Sequence, residues 1–183
     1  IVYCFETSTP AFKVAAFFEA MRLKRETYTE NRIFFEHFQK LASQKESSLP
    51  LIVDLCDSYD GVVRHHNYGV FTASVLSALG IPVLLHGIDE VAPKKGITHA
   101  QILKAANKNS RRSLSQTKSD LENPNLRWGY VDQSEYFPAL YGFKQLRQEM
   151  VKRPFIATFE KLLQPVRAKE GNFVVSAYTH KHY

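Results

Sequence analysis

The sequence predicts an α/β fold, a small N-terminal helical unit followed by part of a parallel-sheet α/β domain. Three observations carry this. The stretch up to Pro50 reads as two helices and a polar linker. A strand, a helix and a strand then follow between Leu51 and Leu85. That βαβ order implies parallel pairing, because parallel strands need a long crossover between them. A further apolar run, Asn172 to Tyr178, reads as a final strand.

The elements follow in chain order. Thr9-Pro10 reads as a helix start, with Thr9 as N-cap and Pro10 at the first helical position. Ala11 to Arg25 is apolar until Arg22, Lys24 and Arg25, so this helix is expected to be buried on most sides. Thr27 to Glu30 has capping-box spacing, and the helix after it aligns Phe34, Phe38 and Leu41. Ser43 to Ser48 reads as a linker. Leu51 to Leu55 is a buried-strand run, and Asp57 to Gly61 is turn-rich. Phe71 to Leu79 reads as a helix ended by Gly80, and Ile81 to Leu85 as a second strand. Thr98 to Gln101 is another capping box, opening a helix through Ala106. Trp128 to Val131 is a third strand. Phe137 to Lys152 has a helical pattern that Arg153-Pro154 ends. Phe155, Phe159, Leu162 and Leu163 read as a packed face.

A chain of 183 residues and 21.0 kDa has room for one domain, or one with a small appendage. With 44% hydrophobic and 23% charged residues, it is neither disordered nor a membrane bundle. Cys4 and Cys56 form no disulfide framework, and no leader pattern precedes them. A reducing intracellular compartment is therefore expected, either the cytoplasm or an organelle interior. The net charge of +6 suits a polyanionic partner, nucleic acid or a phosphorylated small molecule. Val91 to Ser119 contains no acidic residue but holds Lys94, Lys95, Lys104, Lys108, Arg111, Arg112 and Lys118. Those seven are the candidate polyanion-binding residues. No aromatic residue lies among them, so contact with RNA or DNA would be to phosphates.

The turn after the first strand is where an open α/β sheet binds ligand. It carries Asp54, Asp57 and Asp60, which read more simply as strand-end and turn residues than as a Mg²⁺ site. His65-His66 and the pair His180 and His182 are read as surface histidines, so no metal site is expected. Neither cysteine sits near an evident activating base in the sequence.

Several segments resemble the anthranilate phosphoribosyltransferase family, glycosyltransferase family 3, over most of the chain. Phe17 to Lys24 resembles the family's A-F-L-M-A-L-R-M-K helix. Asn67 to Gly87 resembles its N-I-S-T helix and the strand closing in K-H-G-N. Lys94-Lys95-Gly96 resembles K-S-G. Leu146 to Glu149, Arg153 and Leu162 to Pro165 resemble V-R-R-E-L-G-x-R-T-I-F-N and L-L-N-P. Tyr59-Asp60-Gly61 resembles the Y-D-G of divergent, phosphoribosyltransferase-like branches, where the enzyme has G-T-G-G-D-G. By this resemblance the fold is of the anthranilate phosphoribosyltransferase and nucleoside phosphorylase type. The implied substrate or phosphate contacts are Asp60, Gly61, Asn67, His86, Gly87, Lys94, Gly96 and Arg147, with Arg147 on the aromatic-acid side. Catalytic residues are not assigned.

The departures are as informative. Asp57, Ser58 and Tyr59 stand where the family's glycines wrap a diphosphate. Gly69, Val70 and Ile88 replace the N-I-S-T hydroxyls and the K-H-G-N asparagine. The family's acidic Mg²⁺ pair lies beyond Tyr183. The resemblance therefore implies a helical unit over 1–48, joined by the helix at 137–152, and a partial α/β domain over 49–183. It implies a protein degenerate for phosphoribosyl transfer, acting as a binding or structural subunit. Its partners would be other proteins or a second copy met through the N-terminal helices. Two alternatives stay open: an active pentosyltransferase using phosphoribosyl pyrophosphate and Mg²⁺ when full length, and a nucleic-acid-binding protein.

Overall fold

The computed structural model describes residues 2–6, 8–150 and 152–177. Helix α1 (Ala11–Lys24) begins one residue later than the sequence predicts. Pro10 is its N-cap, and the Thr9 hydroxyl instead donates to the Tyr3 carbonyl at 2.5 Å. Only Val14, Phe18 and Met21 of α1 are buried, while Phe12 is 70% and Leu23 67% exposed. This corrects the expectation of burial on most sides, because α1 meets protein on one flank only. Helix α2 (Tyr28–Leu41) has the predicted capping box at Thr27 and Glu30 and buries Phe34 and Phe38. Leu41 lies off the core.

The supposed linker is structured. Strand β1 (Lys45–Glu46) pairs in parallel with a strand near the other end of the chain, β5 (Val166–Arg167). The main sheet holds β2 (Ile52–Leu55), β3 (Val83–Gly87), β4 (Trp128–Asp132) and β6 (Asn172–Val175), all parallel, in the order β4-β3-β2-β6. Helix α3 (Gly69–Ala78) connects β2 to β3, and α4 (His99–Ala105) opens with the predicted capping box at Thr98 and Gln101. Helix α5 (Leu114–Glu122) is one the sequence reading missed, though Ser113 and Gln116 form a third capping box. Phe137 to Lys152 is not one helix. A short helix α6 (Gln133–Tyr136) ends before it, and the segment itself breaks at Gly142 into α7 (Pro138–Tyr141) and α8 (Lys144–Glu149). Proline drives the preceding residue out of the helical region, and glycine is a weak helix former. The C-terminal strand is described to Val175; Tyr178, His180 and His182 lie outside the described residues.

Strand alternation sends side chains to two cores. Ile52, Leu84 and Val131 face a core shared with α1, α2 and the segment from Phe137 to Phe159. It is rich in phenylalanine, with Phe34 and Phe155 ring centroids 4.6 Å apart. Val83, Leu85 and Tyr130 face the other core with Val70 and Ala73 of α3 and Ala100 and Leu103 of α4. Among the described residues β6 pairs only with β2, leaving Phe173 69% and Val175 48% exposed. No helix among the described residues is long and apolar enough to cross a membrane. The strand order turns back at β2, which places the ligand crevice of such a sheet at the carboxyl end of β2.

Candidate functional site

Most of the residues implied as substrate contacts do converge at that strand end. The turn from Cys56 to Gly61 packs against the loop carrying Lys94 and Gly96. Gly61 has φ +75°, and a Cβ there would sit 2.3 Å from the Gly96 carbonyl oxygen. No larger residue fits this contact. The Gly96 amide donates to the Asp60 carbonyl at 2.9 Å, and Val62 and Ile97 form an antiparallel bridge. Asn67 closes the same corner. Its Nδ2 donates to the Ile97 carbonyl at 3.0 Å, and its Oδ1 accepts from the Gly69 amide at 3.0 Å.

Two carboxylates in this turn are engaged by side chains of the same chain. Asp60, whose side chain is buried, accepts from Lys94 Nζ at 3.1 Å and from Ser58 Oγ at 2.5 Å, with Arg153 Nε 3.6 Å away. Arg153 also donates to Ser58 Oγ at 2.7 Å. Asp57 Oδ2 lies 2.9 Å from His99 Nε2. Burial alone would raise the Asp57 carboxyl, but the hydrogen bond and charge of His99 outweigh it and hold it below its usual range. His99 reaches Asp57 only because residue 69 is glycine, since a Cβ there would lie 2.1 Å from His99 Nε2. Lys161 stands nearby, and burial together with the repulsion of Arg153 and Lys94 lowers its ammonium pKa.

Beneath this turn lies a buried polar chain. His86 Nε2 is 3.0 Å from Asp54 Oδ1, and its Nδ1 hydrogen-bonds the Tyr59 hydroxyl, which in turn meets the Tyr136 hydroxyl. Burial pushes both phenols well above their usual range, so both stay protonated. Cys56 Sγ is 3.4 Å from Asp54 Oδ1 and 3.9 Å from His86 Nε2. Burial, then the Asp54 carboxylate, push its thiol far up, so it is not a poised nucleophile. A Cβ on Gly87 would touch the Tyr130 hydroxyl at 3.7 Å. The cavity left between Asp57, Tyr59, His86 and His99 measures ≈ 10 Å³.

Other expected residues lie elsewhere. Arg147 is buried in a bidentate pair with Glu160, at 2.8 and 3.1 Å, and Gln133 donates to the same carboxylate. Within the acid-free stretch, four cations have acidic partners. Lys94 meets Asp60, Lys104 meets Asp89, Arg112 meets Asp120 at 2.6 Å and Lys118 meets Glu122. Lys95, Lys108 and Arg111 make no ion pair among the described residues. His65 and His66 are exposed, as expected. The sequence reading missed Cys56, His99, Tyr136 and Arg153. A signal for Cys56 was present: in extended chain, residues two apart, such as Asp54 and Cys56, share a face. Leu55 pairs with Leu85, so His86 follows at the same level.

A parallel sheet with helices on both faces, whose polar turn sits at the strand order's reversal, defines an open α/β protein of the kind that binds ligands at such a crevice. The chain is 27% identical over 87% of its length to anthranilate phosphoribosyltransferase of Halalkalibacterium halodurans, covering 45% of that protein. It is 30% identical over 93% of its length to an uncharacterized protein of Aquifex aeolicus, covering 49% of it. The crystal structure of anthranilate phosphoribosyltransferase (TrpD) from Thermus thermophilus superposes with a TM-score of 0.69 at 18% identity, over 94% of this chain and 52% of that one. That of Saccharomyces cerevisiae, in complex with PRPP and Mg, gives 0.63 at 16% identity, over 85% and 43%. No protein-family model matches the chain. The chain is thus similar in sequence and in fold to anthranilate phosphoribosyltransferases, and it spans about half the length of the curated relatives it matches.

Proposed function

We propose that this chain has given up phosphoribosyl transfer and serves as a binding or structural subunit of a larger assembly. The observation that carries this is the internal neutralisation of the turn after β2. A diphosphate cradle needs glycines, open space and unmatched positive charge. Here Asp60 supplies the negative charge itself, to Lys94 and Arg153, and Asp57 engages His99. The Tyr59 ring is buried in the turn, and the cavity of ≈ 10 Å³ between Asp57, Tyr59, His86 and His99 is too small for a phosphate. The cations already beside Asp60 and the His99 contact of Asp57 compete with Mg²⁺ for these carboxylates, and the glycines that would cradle a diphosphate are missing, which supports the reading that the residues present do not fit a Mg²⁺–diphosphate group. Arg147 is likewise satisfied by Glu160 rather than turned toward an aromatic acid. The acid-free stretch supports this reading over nucleic-acid binding, because four of its cations are already matched.

Isothermal calorimetry with phosphoribosyl pyrophosphate, with and without Mg²⁺, tests the reading on the full-length protein. No saturable Mg²⁺-dependent heat is expected. Saturable Mg²⁺-dependent binding would overturn it.

A further inference from the structure

The buried group under the turn carries a different kind of chemistry. Asp54 and His86 lie on the adjacent parallel strands β2 and β3, and Cys56 is the residue just past the end of β2. The side chains of Asp54 and His86 are 0% exposed, and Cys56 as a whole is 2% exposed. Their donor atoms form a triangle with sides of 3.0, 3.4 and 3.9 Å. Three corners of a tetrahedron around zinc, with bonds of about 2.0–2.3 Å, stand about 3.3–3.6 Å apart. The observed triangle needs only a few tenths of an ångström of adjustment.

The arrangement does not suit a nucleophile. In a Cys-His-Asp relay the acid and the thiol contact opposite ring nitrogens. Here both lie against Nε2, while Nδ1 belongs to Tyr59. The other Asp54 oxygen, Oδ2, is buried with no hydrogen-bond partner. A buried carboxylate with an orphaned oxygen calls for a cation beyond what one imidazole supplies.

We propose that Asp54, Cys56 and His86 bind one zinc-like divalent cation, which ties β2 to β3 beneath the altered turn. A thiolate and imidazole donor set selects such an ion over Mg²⁺ or Ca²⁺. Binding releases the Cys56 thiol proton to solvent. The imidazole keeps one proton, moved from Nε2 to Nδ1, where it donates to the Tyr59 hydroxyl, which then donates to Tyr136. The thiolate and the Asp54 carboxylate together cancel the charge of the ion. Tyr59 thus becomes the outer partner that fixes the tautomer of a ligating histidine. Among the described residues no fourth side chain joins the cluster. A four-coordinate ion would need one further ligand, such as a water.

Cobalt titration of the chelator-stripped protein tests the site. One equivalent of Co²⁺ should produce a thiolate charge-transfer band, and Zn²⁺ should abolish it by displacement. The band should survive Cys4→Ser and disappear in Cys56→Ser. Tyr59→Phe should weaken binding by about 10–100-fold. Absence of the band, or its persistence in Cys56→Ser, would overturn the proposal. X-ray absorption of the zinc-loaded wild-type protein gives a check that needs no variant. One sulfur in the shell supports the site, and a shell of nitrogen and oxygen alone refutes it.

Discussion

Glu30 is the clearest case at the scale of single residues. Its carboxylate accepts from Lys24 Nζ at 2.6 Å and from the Thr27 amide and hydroxyl. The Lys24 hydrogen bond, then the Thr27 contacts, hold its pKa down to about 2. The folded value lies below the unfolded one of about 4.3, so the contact stabilises the fold above that unfolded value. The contribution fades as pH falls through the folded value. An NMR titration should find Glu30 ionised well below the other glutamates, and Lys24→Met should move it upward. The Arg147–Glu160 pair makes a larger prediction. Arg147→Met strands a fully buried carboxylate and should cost about 3–5 kcal/mol in urea unfolding. Adding Glu160→Leu should recover much of that loss, and additive costs would contradict the coupling. The sequence could suggest Arg147 as important but not where it points. Glu160, thirteen residues on, meets it only because the helix ends at Glu149 and the chain is extended at Met150 and Pro154. His99 was hidden for a related reason, because its role depends on the space opened by Gly69.

Elements were legible wherever a local signal sets them. Three capping boxes, at Thr27, Thr98 and Ser113, all form, and the two at Thr27 and Thr98 stand out in the sequence. The helix at Ser113 went unread because its residues are mostly polar and its buried face is only Leu114, Thr117 and Leu121. Ser113→Ala should therefore cost about 1 kcal/mol, measurable by thermal unfolding, and an unchanged midpoint would mean the cap is idle. The apolar runs of β2, β3 and β4 were found because strands buried on both faces read as continuous hydrophobic stretches. The two-residue strands β1 and β5 carry no such pattern. Lys45 and Glu46 are exposed, and only the backbone partners Val166 and Arg167 make them a strand.

Across the whole molecule, the parallel sheet and its helical flank follow from the sequence, whereas the pairing of charges does not. The acid-free stretch looks like a single basic surface along the chain, yet folding returns Asp60, Asp89, Asp120 and Glu122 to it. The apolar surface is the stronger global feature. Phe173 and Val175 of β6 pair in register with Val53 and Leu55, on the face covered by α3, whose Phe71 and Val75 are also exposed, as is Leu79 just after it. A fluorescent apolar probe should bind the native chain, and Phe71→Ser with Phe173→Ser should remove most of the signal. Unchanged probe binding would place that surface elsewhere. The strand order has one more consequence, and it concerns time. Strand β2 cannot gain its second neighbour until the last described strand exists, and Gln44 waits for a carbonyl 119 residues away at Leu163. Closing such distant pairs is slow, and during synthesis the early strands emerge long before their partners. The half-made chain must therefore leave the ribosome with its central strand open on one side, a stage at which a chaperone would find its strongest grip.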